Sequence, residues 1–502
     1  MSFWTYCAIA IYFGALIFIG RYYYDENASL SEYLLDNRRL GPFVTALSAG
    51  ASDMSGWMLL GVPGAMFATG ICNIWIALGL CVGAWCNYKF LAKRLRIYTE
   101  VASDSVTIPD FLENRFKDRT KTLRIISGLL IIIFFTLYVS SGIIAGGKTF
   151  ESFFGLNFTY GAVATILIVV FYTFFGGFKA VAITDAFQGA LMFAVLILIP
   201  LFSYRALQIP ADSSFFAQVR LYGASHLDLF YNQSFLGVLG LLAWGLGYFG
   251  QPHIIVRFMA IRSSRELDSA RRIGISWMVL GLAGAMLSGL IGFVYFSQKG
   301  LSIDDPEKIF LELGKIFFHP FVLGVIISAV LAAIMSTISS QLLVSASAVT
   351  KDFIFAFYKK EVSERTQTLS SRIAVVIIAA LAAILAFVSN DTVLNVVGNA
   401  WAGFGASFGA VLLFSLYSKK MSALSALVGM LVGGITVICW ILSGLSAIVY
   451  ELLPGFCFSA LAILLVNRYN SVLDKMADEP NAAQISQEFE KMKEQSLRGK
   501  DG

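Results

Sequence analysis

Residues 42–67 form an apolar run long enough to cross a lipid bilayer, which takes roughly 20 residues. The middle of that run is unfit for a plain membrane helix. Residues 46–57 read A-L-S-A-G-A-S-D-M-S-G-W, with Gly50, Ser52, Asp53, Ser55 and Gly56 close together. An aspartate at the bilayer centre costs about 2.5–3.5 kcal/mol even on mild insertion scales. Glycine weakens a helix, and serine offers its backbone competing hydrogen bonds. Irregular backbone survives at membrane depth only where it lines a cavity or is buried in protein. The stretch is therefore expected to be a broken helix that presents oxygens to a small cation. The plainer alternative is an aspartate satisfied by a neighbouring helix, with small residues serving close packing.

The rest of the chain makes this a membrane problem throughout. Hydrophobic residues are 57% of the 502 and charged residues 14%, with a mean hydropathy of +0.74, which excludes a soluble globular domain. No run alternates at period two in the manner of a membrane β-barrel. An all-α integral membrane protein of about 13 transmembrane helices is expected. The spans fall near 3–23, 42–67, 72–92, 124–147, 159–176, 182–204, 234–255, 273–296, 318–348, 372–388, 392–416, 422–443 and 446–467. The first span lacks a basic flank and an A-x-A site, so it is expected to be retained. With the N-terminus placed outside, all but six of the 37 Lys and Arg fall on the inner side. The six are Lys148, Arg205, Arg220, Lys299, Lys308 and Lys315. That split predicts an odd number of spans and a cytoplasmic C-terminus. Cys7, Cys72, Cys81, Cys86, Cys439 and Cys457 show no metal or redox spacing and are read as buried small hydrophobes. The polar segment 468–502 is expected to be a solvated tail, helical around E-F-E-K-M-K-E-Q.

A second broken span reads W-G-L-G-Y-F-G-Q-P-H at residues 244–253, where three glycines and a proline interrupt the helix. The broken spans are the second and the seventh. Two five-span units would then have opposite orientation, which is the pattern that marks the binding site of a secondary transporter. The expected division is an extra helix and loop (1–41), a first repeat (42–204), an external loop with a second repeat (205–416), two closing helices (417–467) and the tail (468–502). Span nine carries L-A-A-I-M-S-T-I-S-S-Q, in which Ala333 lies one turn before Thr337. Carbonyls from a broken helix and hydroxyls from this turn would supply about five oxygens, the donor type a hard cation takes. The alternative is serine and threonine as helix–helix glue. Asp185, near the inner end of span six, could cap that helix, serve a second cation or pair with an internal basic residue. His253 is read as satisfied structure rather than as a proton relay. Trp57, Tyr138, Trp244 and Tyr248 are read either as packing or as the wall of a site for a small, partly apolar solute.

The segments A-G-A-S-D-M-S-G-W, R-R-L-G-P, W-G-L-G-Y-F-G-Q-P-H, A-A-I-M-S-T-I-S-S-Q and N-A-W-A-G-F-G-A-S-F-G together resemble the sodium:solute symporter family over the whole membrane region. The resemblance implies a five-plus-five inverted-repeat core of the leucine-transporter type, with one helix before it and two after. It implies sodium-coupled uptake of L-proline. By the same resemblance, Ala51, Met54 and Ala333 would give carbonyls to sodium, and Ser336 and Thr337 hydroxyls. Asp53 would set sodium affinity or coupling. Ser55, Gly56, Trp57, Tyr138, Trp244 and Tyr248 would sit by the substrate, and Arg38 at a cytoplasmic entrance. Asp185, Ser339 and Ser340 would form a second sodium site. Two other readings are open: the same fold with another small solute, such as a betaine-type osmolyte, another amino acid, a vitamin or a sugar acid, or else a sensor or channel. Neither a filter-like motif nor a nucleotide-binding domain supports the last. An enzyme is disfavoured because the acids and hydroxyls lack a paired base.

Overall fold

The computed structural model describes residues 2–23, 35–175, 178–354, 363–472 and 481–498. Apolar runs of membrane length set the helices. The first group is α1 (Phe3–Tyr22), α2 (Pro42–Asp53), α3 (Val62–Thr69), α4 (Ile74–Cys86), α5 (Lys93–Val101), α6 (Ile108–Phe116) and α7 (Thr122–Phe154). Next come α8 (Phe158–Phe175), α9 (Phe178–Arg205), α10 (Phe215–Tyr222), α11 (Phe235–Ala243), α12 (Pro252–Ala260), α13 (Leu267–Lys299), α14 (Ile309–Phe317) and α15 (Pro320–Ser347). The last are α16 (Glu364–Val388), α17 (Val393–Phe404), α18 (Ala410–Tyr417), α19 (Ala423–Leu442), α20 (Leu452–Val472) and α21 (Ala482–Arg498). Among the described residues there is no β-strand, only one isolated backbone bridge.

Among the described residues, ten helical stretches are long and apolar enough to cross a membrane. The figure of thirteen is not reached by that measure, because three expected spans fall short of it. Two of these are the broken ones: α2 stands alone at 12 residues while α3 runs on into the Trp57–Val101 stretch, and Phe235–Gly250 counts only as a shorter apolar helix. The third is Phe158–Phe171, which counts only as a shorter apolar helix.

Both breaks lie where the sequence places them. Proline begins α2 and α12, where its missing N–H costs nothing. After Asp53 the backbone leaves the helix at Met54 (φ −85°, ψ 81°) and re-enters as a π-turn over Trp57–Gly61. In the second break α11 tightens into a 3-10 turn over Trp244–Gly250 before α12 starts. Against these breaks stands α15, which is buried at every position from 326 to 343. A helix apolar on all sides belongs in the centre of a bundle. It packs on α1, α2, α7, α9 and α16, while α19 and α20 pair with each other.

The loops sort into two ends. At one end Arg38 reaches Asp104 and the Met259 carbonyl, Arg96 reaches the Ile261 carbonyl, and Arg94 reaches the Leu416 carbonyl. There the chain before α2 also joins the end of α12 through backbone alone. The Leu40 N–H donates to the Ala260 carbonyl at 3.1 Å, and the Arg262 N–H donates to the Leu40 carbonyl at 2.9 Å. At the other end Lys148 holds Asp305 and Glu307, and Lys308 holds Glu151. Segments expected on one side of the membrane thus touch one another.

Three expectations change. The tail is helical as read, but α21 is docked rather than solvated. Phe489 and Met492 are buried, Phe489 meets the Tyr98 ring edge-on, and Lys117 pairs with Glu488 at 2.7 Å. The apolar stripe every three to four residues within E-F-E-K-M-K drives that docking. Residues 473–480 and 499–502 of the expected tail lie outside the described residues. Of the cysteines only Cys72 is buried, and Cys439 and Cys457 are exposed on the helix surface, where lipid replaces protein as the apolar neighbour. His253 is buried with neither ring nitrogen hydrogen-bonded among the described residues, so it is not satisfied structure. Thr107 caps α6, accepting from the Asp110 N–H at 3.1 Å.

Candidate functional site

The end of α2 meets the middle of α15. Ser336 Oγ donates to the Ala51 carbonyl at 2.8 Å, and Thr337 Oγ1 donates to the same oxygen at 3.3 Å. Ser336 also lies 3.3 Å from the Ala333 carbonyl. Two carbonyls and two hydroxyls, from residues 285 and 286 apart in sequence for the inter-helix pairs, are thereby gathered at one point. Met54, buried at the turn that leaves α2, is the next expected donor along the chain.

Asp53 faces away from that point. Its Oδ2 accepts from the Tyr248 hydroxyl at 2.5 Å, and its Oδ1 has no hydrogen-bond partner among the described residues. Its main-chain carbonyl, freed by the break, accepts from Trp57 Nε1 at 3.0 Å and from the Tyr138 hydroxyl at 3.4 Å. Asp53 is thus the node that ties three of the expected wall aromatics to the unwound turn. Ser55, Gly56, Trp57, Tyr138 and Tyr248 are all buried. At Gly56 a Cβ would lie 2.5 Å from the Ala145 Cβ of α7, so the turn approaches α7 as closely as it does only because the residue is glycine. Trp244 sits further along the second break, stacked on Tyr450 with ring centroids 5.1 Å apart.

Reading the sequence missed three residues of this region. Trp401 donates Nε1 to the Trp244 carbonyl at 2.8 Å and stands edge-on to Tyr248 at 5.0 Å. A Cβ on Gly247 would overlap its indole. Tyr450 covers Trp244 and donates to the Gly398 carbonyl at 2.6 Å. The third is Arg257, counted above among inner loop charges although it lies inside the apolar run I-I-V-R-F-M-A-I. It is 1% exposed. That run was the signal, because a charge flanked so by apolar residues needs a partner at depth.

The partner is Asp185. Arg257 Nη2 lies 3.0 Å from Asp185 Oδ2 and donates to Ser340 Oγ at 2.6 Å. Arg257 Nε donates to Ser48 Oγ at 3.1 Å, and Ser48 donates on to Asp185 at 2.9 Å. Of the three residues expected to share a second sodium, two meet, Ser340 Oγ lying 3.5 Å from Asp185 Oδ2. Asp185 and Ser340 close on the guanidinium, while Ser339 donates to the Ser336 carbonyl of its own helix at 3.1 Å. The positive charge that Asp185 needs is supplied by the chain itself.

Arg38 lies at the basic end. It donates to Asp104 (2.8 Å), to Thr99 (3.1 Å), and to the carbonyls of Ser105 (3.0 Å) and Met259 (2.8 Å). Burial, then the nearby Arg96, lowers its pKa, against the raising effect of Asp104.

Two broken helices, a carbonyl-and-hydroxyl cluster and a buried aromatic wall are the build of a membrane carrier. The chain belongs to the sodium:solute symporter family, whose profile matches residues 33–433. Among curated relatives, the osmoregulated proline transporter OpuE of Bacillus subtilis is 50% identical over 92% of this chain and 94% of its own. The high-affinity proline transporter PutP of the same organism is 50% identical over 90% and 95%. Sodium/proline symporter 2 of Staphylococcus saprophyticus is 48% identical over 93% of each. The fold is shared with a substrate-bound, outward-open Na+-coupled sialic acid symporter (TM-score 0.78, 17% identity, 93% of this chain and 98% of that one). It is also shared, more distantly, with a nucleobase-cation-symport-1 family transporter (TM-score 0.55, 14% identity, 92% and 99%). These likenesses place the five-plus-five inverted-repeat core of the leucine-transporter type and a multi-pass position in the cell membrane.

Proposed function

We propose that this protein is a sodium-coupled symporter that carries L-proline into the cell by alternating access, with its N-terminus outside and its C-terminus in the cytoplasm. The names of relatives near 50% identity support the solute and the ion. The clustering of basic loops at one end supports the orientation. The single observation that carries the mechanism is the Ala51 carbonyl held by both Ser336 and Thr337.

Sodium would take the carbonyls of Ala51, Met54 and Ala333 and the hydroxyls of Ser336 and Thr337, five oxygens with no nitrogen or sulfur. The two hydroxyls, which now donate to Ala51, turn their lone pairs to the ion. Asp53 sits beside Met54 and biases the site toward cations, setting sodium affinity and coupling. The carboxylate of proline would lie beside Ser55 and rest on the backbone amides of Gly56 and Trp57, where a half-helix begins and its dipole favours an anion; the Ser55 N–H is held by the Asp53 carbonyl at 3.0 Å. The ring would pack on Trp57, Tyr138, Trp244 and Tyr248. Both ligands order one unwound turn, so each raises the other's affinity by the same factor. Arg38 holds the end of α12 and keeps the cytoplasmic side shut. No catalytic role is assigned to any residue.

Uptake of radiolabelled L-proline into proteoliposomes, with and without an inward sodium gradient, tests this. Accumulation only with sodium is expected. Sodium-driven uptake of a different solute from a small panel would discard proline and keep the ion site. Accumulation driven by pH alone would discard the ion site.

A further inference from the structure

Below the ion site, α15 and the π-turn that continues it (Ala348–Ile354) carry polar groups that the transport reading leaves unused. The helical period sets Ala333, Thr337, Gln341, Val344, Ala348 and Asp352 on one stripe. Thr337 belongs to the ion site. One turn on, Gln341 is fully buried, and neither its amide oxygen nor its amide nitrogen has a hydrogen-bond partner among the described residues. Buried amides without partners are costly and call for an explanation. The stripe runs down one side of a cavity of about 30 Å³ that begins at Val344, roughly 10 Å below Thr337 at 1.5 Å per residue, and reaches Asp352 at the cytoplasmic end. A water needs roughly 10–15 Å³ of such space, so the cavity has room for about two water-sized particles.

Val344, Ser347, Ala348 and Asp352 form one wall of that cavity, and Thr107 and Pro252 stand across from them. Asp352 is 1% exposed, and Thr107 Oγ1 lies 3.3 Å from each of its oxygens. Arg124 Nε stands 3.3 Å from Oδ1, and Lys351 leans away to Asp110 at 3.0 Å. Ser347 Oγ is buried, 6% exposed, and without a partner among the described residues. A carboxylate, a hydroxyl beside it and a second, unengaged hydroxyl make an all-oxygen set at the foot of the line. That is what a hard monovalent cation takes.

We propose that this stripe is the route by which sodium leaves toward the cytoplasm, and that Asp352, Thr107 and Ser347 form a low-affinity exit station for the ion, with Gln341 as the relay above it. This rests on the sodium-coupled reading given above. The station is a site of the inward-open state. Sodium leaving Thr337 passes Gln341 and is held briefly by Asp352, whose attraction offsets the pull of the ion back toward Asp53. Arg124 and Lys351 limit that hold, so the ion is released.

A sided measurement in the full-length protein tests the assignment. In proteoliposomes of uniform orientation, the half-saturating sodium concentration is measured for proline uptake from the external side and for proline efflux from the cytoplasmic side. Asp352→Asn is expected to raise the cytoplasmic value about tenfold while the external value stays within twofold. Ser347→Ala is expected to raise the cytoplasmic value about threefold, whereas removal of an unengaged hydroxyl with no ligand would shift nothing. Should Asp352→Asn fail to fold, Ser347→Ala decides alone. Equal shifts on both sides, or none, overturn the station. A shift only in the cytoplasmic half-saturation for proline, at fixed sodium, also overturns it, because the site would then read the solute. Loss of sodium dependence in the unsubstituted protein overturns the transport reading instead, and is seen before any variant is made.

Discussion

Asp53 carries two loads. Its side chain is engaged by Tyr248, and its freed carbonyl by Trp57 and Tyr138. Asp53→Ala removes the first and keeps the second. We expect proline uptake with a half-saturating sodium concentration raised at least tenfold, about 1.4 kcal/mol of lost ion affinity. Unchanged sodium dependence in that variant would show the role of Asp53 to be wrong. Arg257 and Asp185 behave differently, since among the described residues each is the other's only ion-pair partner. Arg257→Met leaves a buried carboxylate unpaired and should cost about 3–5 kcal/mol, read as a lowered melting temperature in detergent. Adding Asp185→Leu should return most of that stability without restoring transport. Asp53 was legible in the sequence because an acid flanked by glycine and serine breaks an apolar run. The Arg257 pairing was only half legible: the apolar run around it marks a charge at depth, but its partner lies 72 positions away and no local pattern points to it.

At the scale of elements, the contact that matters is the unwound turn of residues 54–56 against α7. Gly56 permits it, and the space left over is less than a methyl group. Gly56→Val should push the turn off α7 at a cost of about 1–3 kcal/mol of overpacking and abolish proline uptake. Ala145→Gly in the same chain should restore part of it, and no rescue would place the defect elsewhere. Both breaks were readable from glycine and proline spacing. Their detailed form was not: one re-enters as a π-turn and the other as a 3-10 turn, a choice set by what packs beside each, with Trp401 occupying the space over Gly247.

For the whole molecule, the order of spans and the grouping of charged loops followed from hydropathy and from the Lys and Arg distribution. The docked α21 did not, because a short amphipathic helix looks the same whether its apolar stripe meets protein or water. Phe489 is its main anchor, against Tyr98 and beneath Arg115. Phe489→Ser should cost about 2 kcal/mol of docking, seen as faster amide exchange across 482–498 while the transmembrane helices keep their protection. Persisting protection there would assign the docking to Lys117–Glu488 and Lys419–Glu490 instead.

The seam between Leu40 and residues 260–262 is made of main-chain amides and carbonyls only. Exchange of one apolar side chain for another at the buried positions 40, 260 and 261 therefore leaves both bonds in place, provided that neither position 40 nor position 262 becomes proline. Among distant relatives this fastening would leave no signature in residue identity, and a catalogue of invariant positions would pass over it.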